Sequence, residues 1–318
     1  MEKTKKISAG ALITDLSLPL LLLVLGIIFT IMSDKFLTQI NLTNVLVQNV
    51  HVVVCAAAVM IIMISGGCDL SIGYQMSVAA VLVTKMISEM DVPVVVACIS
   101  GIALCSLLGT FNGYMALKLK SNTMIVTLGT MAIFQGISYL ISGSKTYHKL
   151  PKSFMYIGQG KLFGWLPINV ILMIIIVLII GFVMNKTAVG RKVYAAGDNP
   201  EAARLAGLKV AKIKVLSFSF AGILVGISAI LLASRSGSAD SSTGVGIEFT
   251  GITACVLSGV ALKGGEGTLW KVIVAVFVLG VLANGMQLIN MGTYPQFIAK
   301  GAIMLVSLYL TNKNIETA

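Results

Sequence analysis

Ten stretches of this chain are dominated by apolar residues and separated by short polar breaks. They fall at about 17–33, 44–64, 72–90, 93–117, 122–141, 167–184, 213–234, 247–261, 269–289 and 295–311. Crossing the hydrocarbon core of a bilayer takes about 20 mainly apolar residues in helical form. The pattern therefore predicts an all-α polytopic membrane protein with about ten transmembrane helices. The eighth stretch is short, and the breaks after the second and the eighth are glycine-rich. Residues 1–318 read as one transmembrane domain. Its first apolar stretch is expected to be an uncleaved span, because "SDKFLTQINLTN" after it offers no small-residue cleavage site.

Composition agrees with this pattern. Hydrophobic residues make up 57% of the chain and charged ones only 11%, against about 25% charged in ordinary soluble domains. The formal net charge of +11 raises nucleic acid as a partner, but the charges do not cluster on one soluble face. They follow the spans instead. With the N-terminus inside, fifteen Lys and Arg fall on the cytoplasmic side and seven outside, with Lys300 within the last span. That bias places both termini in the cytoplasm. The five cysteines lie in or beside apolar runs without a C-x-x-C pair, and read as small buried hydrophobes rather than metal ligands.

One segment departs from the apolar pattern. "AAGDNPEAARLAGL" (Ala195 to Leu208) sits in a loop of about 185–212, and seven of the fifteen inner cations lie between Lys186 and Lys214 around it. Asp198 and Glu201 have capping-box spacing, Pro200 falls in the first turn, and Gly207 is a natural stop. Glu201 and Arg204 are three apart and can pair. The predicted helix has about two turns, too few to stand alone, so Leu205 and Leu208 are expected to supply an apolar contact. Either it packs on its own bundle, or it couples to a soluble partner. The longest outer loop, 142–166, reads as a packed connection with interfacial aromatics such as Trp165 or as a contact for an outside partner.

Polar residues inside spans are costly and face a pathway or a partner helix. The candidates are Gln48, Asn49, His51, Asp69, Asn112, Gln135, Asn284, Gln287, Gln296 and Lys300. Of these, Gln48, Asn49, Asn112, Gln135, Asn284 and Gln287 are the amides suited to a passing polar solute, with helix–helix bonding as the alternative. Asp69, in the break that holds Gly66, Gly67 and Ser71, is expected to cap the next helix through the Ser71 or Gly73 amide. Gly264 and Gly265 in "KGGEGTLW" read as a close-packed helix break. The chain has no G-x-x-x-x-G-K-[ST] segment, so no phosphate-cradling loop is expected in it. His51 and His148 lack a Ser or Cys partner at a telling spacing, so neither catalysis nor metal binding is indicated. "FNGYMALKLKSNTMIV" and "LANGMQLINMGTYPQFI" each carry Asn-Gly before a short apolar run, five spans apart, which predicts an inverted repeat of two five-helix halves.

Five segments in order resemble the permease subunits of ribose-type ABC sugar importers. They are "GGCDLSIG" (Gly66 to Gly73), Phe111 to Gly143, "GRKVYAAGDNPEAARLAGL" (Gly190 to Leu208), Gly246 to Trp270 and "NGMQLINMGTYPQF" (Asn284 to Phe297). The sequence departs from the family pattern at Cys68, Asp198 and Phe249. The resemblance implies a multi-pass permease of the bacterial inner membrane that passes a pentose, hexose or related polyol inward by alternating access. It implies a second permease subunit (a homodimer or a paralogue), a cytoplasmic ABC ATPase that holds the ATP and magnesium, an extracytoplasmic sugar-binding protein and surrounding lipid. It also implies no cofactor in this chain and no nucleic acid. On this reading Asp198, Pro200, Glu201, Arg204, Leu205, Gly207 and Leu208 couple to the ATPase. The alternative function is an ion-coupled secondary carrier of a small polar solute.

Overall fold

A computed structural model describes the backbone of residues 9–316 and the side chains of 16–309. The lysines 3, 5 and 6 and the side chain of residue 313, all counted above toward cytoplasmic termini, lie outside the described residues. The chain forms α1 (Ala9–Met32), α2 (Gln39–Ile64), α3 (Ile72–Ser88), α4 (Val94–Lys118), α5 (Thr123–Ser142) and α6 (Lys152–Gln159). The two-residue strands β1 (Lys161–Leu162) and β2 (Leu166–Pro167) follow, then α7 (Ile168–Lys186), α8 (Ala188–Asp198), α9 (Pro200–Leu205), α10 (Val210–Ser236), α11 (Ile247–Leu257), α12 (Leu269–Leu288) and α13 (Thr293–Glu316). The expected all-α polytopic membrane protein is what the chain builds.

Each of the ten apolar stretches coincides with a helix, but their lengths differ from the prediction. Among the described residues six helices are long and apolar enough to cross a membrane: α2, α4, α5, α7, α10 and α12. The apolar parts of α1 and α3 are shorter, at Leu16–Met32 and Ile72–Ser88. The largest difference is at 247–261. Helix α11 has only 11 residues and so spans about 16 Å, half of a hydrocarbon core of about 30 Å. It is preceded by an irregular loop and stops at Gly259, which has φ +80°.

Packing centres on α2, whose residues from Val53 to Ile64 are all buried. Helices α7, α10, α11 and α12 all pack on it. Helix α10 packs in turn on α3 and most extensively on α4. Small residues make that approach close: a Cβ at Gly109 of α4 would strike the Phe218 carbonyl, and one at Gly222 of α10 would strike that of Cys105. Without water in the bilayer core, such van der Waals contact is a main source of helix association. The cysteines are all free thiols, three buried and two half-buried, as their apolar surroundings predict.

The connection over residues 142–166, expected on the outer side, contains more structure than its sequence predicted. Helix α6 packs on α7 and α10 and buries Phe154 completely. Strands β1 and β2 pair as a small hairpin, and its tip leaves Phe163 and Trp165 exposed.

Candidate coupling site

The polar loop forms two helices, not one. Thr187 begins α8, its hydroxyl accepting from the Val189 and Gly190 amides. The helix runs to Asp198, so Asp198 is a last-turn residue and not the cap that its spacing to Glu201 suggested. The cap of α9 is Asn199, whose Oδ1 accepts from the Ala202 amide at 3.0 Å. Pro200 occupies the first turn as expected, where its missing N–H leaves no bond unmade. Arg204 Nη2 lies 2.7 Å from Glu201 Oε1, with both side chains largely exposed. After α9 the chain turns at Gly207, φ +84°, and the Leu208 amide donates back to the Ala203 carbonyl at 3.0 Å. Ala203 is the buried residue of α9, whereas Leu205 is 89% exposed.

The α8–α9 corner rests on two glycine-rich breaks that are far away in sequence. A Cβ at Gly197 would overlap the Ile64 carbonyl oxygen at the end of α2. That same oxygen accepts a 2.9 Å bond from the Gly265 amide. Gly264 sits against Gly66, a Cβ at Gly264 falling 2.8 Å from the Gly66 Cα, and Gly265 sits against Asp198. Tyr194 of α8 donates to the Gly267 carbonyl at 2.8 Å. Burial pushes its phenol above the ordinary value, which keeps it a donor. Three segments thus meet backbone to backbone, because at these positions a side chain would hold them apart. Gly66 also needs its lack of a Cβ for its own φ of +77°.

Directly beyond Gly66 and Gly67 the break holds a buried polar network centred on Asp69, in which the Gln75 and Asn112 amide oxygens have no hydrogen-bond partner. Asp69 Oδ1 accepts from the Ser71 amide (2.8 Å) and hydroxyl (2.6 Å). Its Oδ2 accepts from Gln75 Nε2 at 2.9 Å and Asn112 Nδ2 at 3.1 Å. Both amides also donate to the Ser71 hydroxyl. Asp69, Ser71, Gln75 and Asn112 are all buried. The carboxylate has four donors and no cation, and it ties the start of α3 to α4. Thr123 and Thr127 of α5 bond the Cys68 and Leu70 amides, fastening the same break from the other side.

The six amides do not converge on one channel within this chain. Asn112 belongs to the Asp69 network. Asn284 and Asn41 exchange two bonds, at 3.0 and 2.9 Å, joining α12 to α2. Asn49 donates to the Val45 carbonyl within α2. Gln48 and Gln135 are half-buried and Gln287 is exposed. Sequence reasoning missed Asn41, Gln75 and Glu248. Glu248 is buried at the start of α11, where its carboxylate accepts from the Gly246 amide; an acid inside the predicted eighth span was the available signal.

Residues 41–308 match the protein family described as branched-chain amino acid transport system / permease component. The chain is similar to the L-arabinose transport system permease protein AraH of Escherichia coli, 34% identical over 90% of this chain and 86% of that protein. It is 32% identical to the ribose import permease protein RbsC of Bacillus subtilis, over 92% and 91% of the two chains. It is also 32% identical to the galactose/methyl galactoside import permease protein MglC of Haemophilus influenzae, over 91% and 90%. No solved structure matches. Coverage at this level runs through the glycine breaks, the α8–α9 corner and the Asp69 network alike, and the chain belongs to this family of transport-system permease components.

Proposed function

We propose that this permease passes a monosaccharide, a pentose or a hexose, from an extracytoplasmic binding protein to the cytoplasm by alternating access. A cytoplasmic ATPase supplies the energy and binds the nucleotide that this chain has no loop to hold. The similarity to arabinose, ribose and galactose permeases supports the sugar class. The observation that carries the coupling role is Leu205. An apolar side chain 89% exposed on a two-turn helix is what a docking element looks like without its partner. In this reading Pro200, Glu201, Arg204, Leu205, Gly207 and Leu208 form or shape the docking face on the cytoplasmic side, and Asp198 anchors it to the bundle at Gly265.

Motion of α9 then reaches the spans through the glycine contacts. Gly197 bears on the end of α2, and Asp198 bears on the Gly264–Gly265 turn before α12. Backbone-to-backbone contact has little slack, so a shift of the corner moves both helix ends together. The half-buried or exposed amides Gln48, Gln135 and Gln287 are the ones we assign to the pathway. Asn49, Asn112 and Asn284 serve helix packing. The four donors on Asp69 argue against its being a free coupling carboxylate, which weakens the ion-driven carrier.

We further infer two inverted halves of four helices each, α2–α5 and α10–α13, rather than the five-helix halves expected from sequence, with α1 and α7 outside the repeat. The packing partners correspond: α10 on α3 and α4 mirrors α2 on α11 and α12, and α3 on α5 mirrors α11 on α13. The turns after α4 and α12 also match, with Lys120 at φ +49° and Asn290 at φ +59°. Both are followed three residues later by a helix beginning at a threonine.

The test is reconstitution in vesicles with the cognate ATPase and binding protein. ATP inside the vesicle lumen that corresponds to the cytoplasm is expected to drive uptake of labelled sugar, and Leu205→Asp is expected to lower it by about thirtyfold. Uptake driven by a proton or sodium gradient without the ATPase would overturn the proposal.

A further inference from the structure

We propose that the groove between α7 and α10 is a binding site for one anionic phospholipid of the inner leaflet. The proposal rests on the cytoplasmic placement of α8 and α9 given above. The groove is a cavity of about 800 Å³. Helices α7 and α10 both pack on α2, and Ile61 of α2 floors the space between them. Val183 and Met184 of α7 form one wall, and Phe220 and Ile223 of α10 the other.

The rim is chemically different. Lys192 of α8 and Lys209 and Lys212 at the start of α10 line it together. All three are exposed, and none forms an ion pair among the described residues. No Asp or Glu lines the groove. Three uncompensated ammonium groups therefore stand at one end of an apolar slot. From Lys212 to Ile223 the helix rises about 16 Å, which is about half of the hydrocarbon thickness and so the depth of one leaflet.

Only one class of occupant meets both ends. A soluble anion satisfies the lysines and leaves the slot empty. A neutral lipid fills the slot and leaves the charges unmatched. An anionic phospholipid sets its phosphate among the lysines and an acyl chain between Met184 and Ile223. Basic pockets between helices on the cytoplasmic side hold anionic headgroups by this combination. The lipid would also touch Leu208 and Lys209, immediately after α9, so its presence would brace the segment that joins the docking helix to α10.

The experiment uses the purified full chain in detergent. It is stripped of lipid and exposed to equal amounts of phosphatidylglycerol and phosphatidylcholine with the same acyl chains. Bound lipids are counted by native mass spectrometry. The expected result is one retained phosphatidylglycerol, with preference over phosphatidylcholine falling about fivefold for each of Lys192→Gln, Lys209→Gln and Lys212→Gln. Leu216→Trp blocks the slot from a largely exposed position, without entering the core, and is expected to remove the retained lipid of either kind. Equal retention of the two lipids by the native chain would overturn the proposal. So would an unchanged preference in the triple lysine variant, or unchanged occupancy in Leu216→Trp. Release of the lipid on adding the cognate ATPase would assign the groove to that partner instead, which also overturns it. None of these readouts depends on transport, so they stand or fall separately from the coupling role of α9.

Discussion

Helix α9 and the Asp69 break carry similar residue types and treat them in opposite ways. In α9 the polar groups are satisfied locally or by water, and the apolar Leu205 is left outside at 89% exposure. In the break the polar groups are buried, and every Asp69 lone pair in use faces a donor within the protein. The first arrangement lacks something that a second molecule can supply. The second has a donor on each side of the Asp69 carboxylate and leaves only the Gln75 and Asn112 amide oxygens without a partner, and it ties α3 and α4 together, with α5 bonded to the same break. The glycine corner connects them, so the exposed element bears on the buried one through Gly197 and Gly66. Under the proposed coupling, the element that moves with a partner is hung on this buried, hydrogen-bonded one.

The comparison can be broken at the corner with the largest effect. Gly197→Val is expected to prevent correct assembly, because the added Cβ must displace the Ile64 carbonyl at a cost of about 3 kcal/mol or more. Yield of monodisperse protein in detergent reads this directly, and a native-like yield would show that the corner is loose.

Asp69→Ala comes next. It leaves buried donors on Ser71, Gln75 and Asn112 without their acceptor, at about 1–3 kcal/mol for each group left unsatisfied. Thermal unfolding in detergent is expected to shift down. An unchanged midpoint would mean that the network rearranges at no cost.

Leu205→Asp is expected to leave that midpoint unmoved and lower ATP-driven uptake by about thirtyfold, the loss of one interface anchor. A fall in stability equal to that of Asp69→Ala would place Leu205 among the packing residues and not on a docking face.

Asn199→Ala removes the cap of α9 and is expected to cost about 1 kcal/mol of local helix stability. Hydrogen exchange at the Ala202 and Ala203 amides reports it. Arg204→Ala is the smallest change, under about 0.5 kcal/mol for an exposed pair, and is expected to alter uptake only through its contact with the partner.

Much of this was legible in the apolar pattern. The ten stretches located ten helices because burying unpaired backbone groups in lipid leaves a long apolar run little choice but a helix. Pro200 and the Glu201–Arg204 pair were legible because their spacing acts within two turns. The cap was misplaced by one residue. Asp198 and Asn199 both suit that position, and the choice was made by α8, which extends through Asp198 and docks it at Gly265. Helix α8 itself stayed hidden because "AVGRKVYAAGD" is short and carries two glycines, and it is held by packing on α2, α7 and α10 rather than by propensity.

The amides show the limit most directly. Sequence marked Asn112 and Asn284 as costly in a membrane, but their partners lie 43 and 243 residues away. By itself, then, the sequence determined that this chain lives in a bilayer as helices and that one polar loop stands apart from them. Those outcomes depend on transfer free energy and local spacing, which are written along the chain. Only the tertiary structure decided which polar groups close on one another, which glycines touch and which leucine is left uncovered. Each of those depends on the separation in space of residues that the chain keeps far apart.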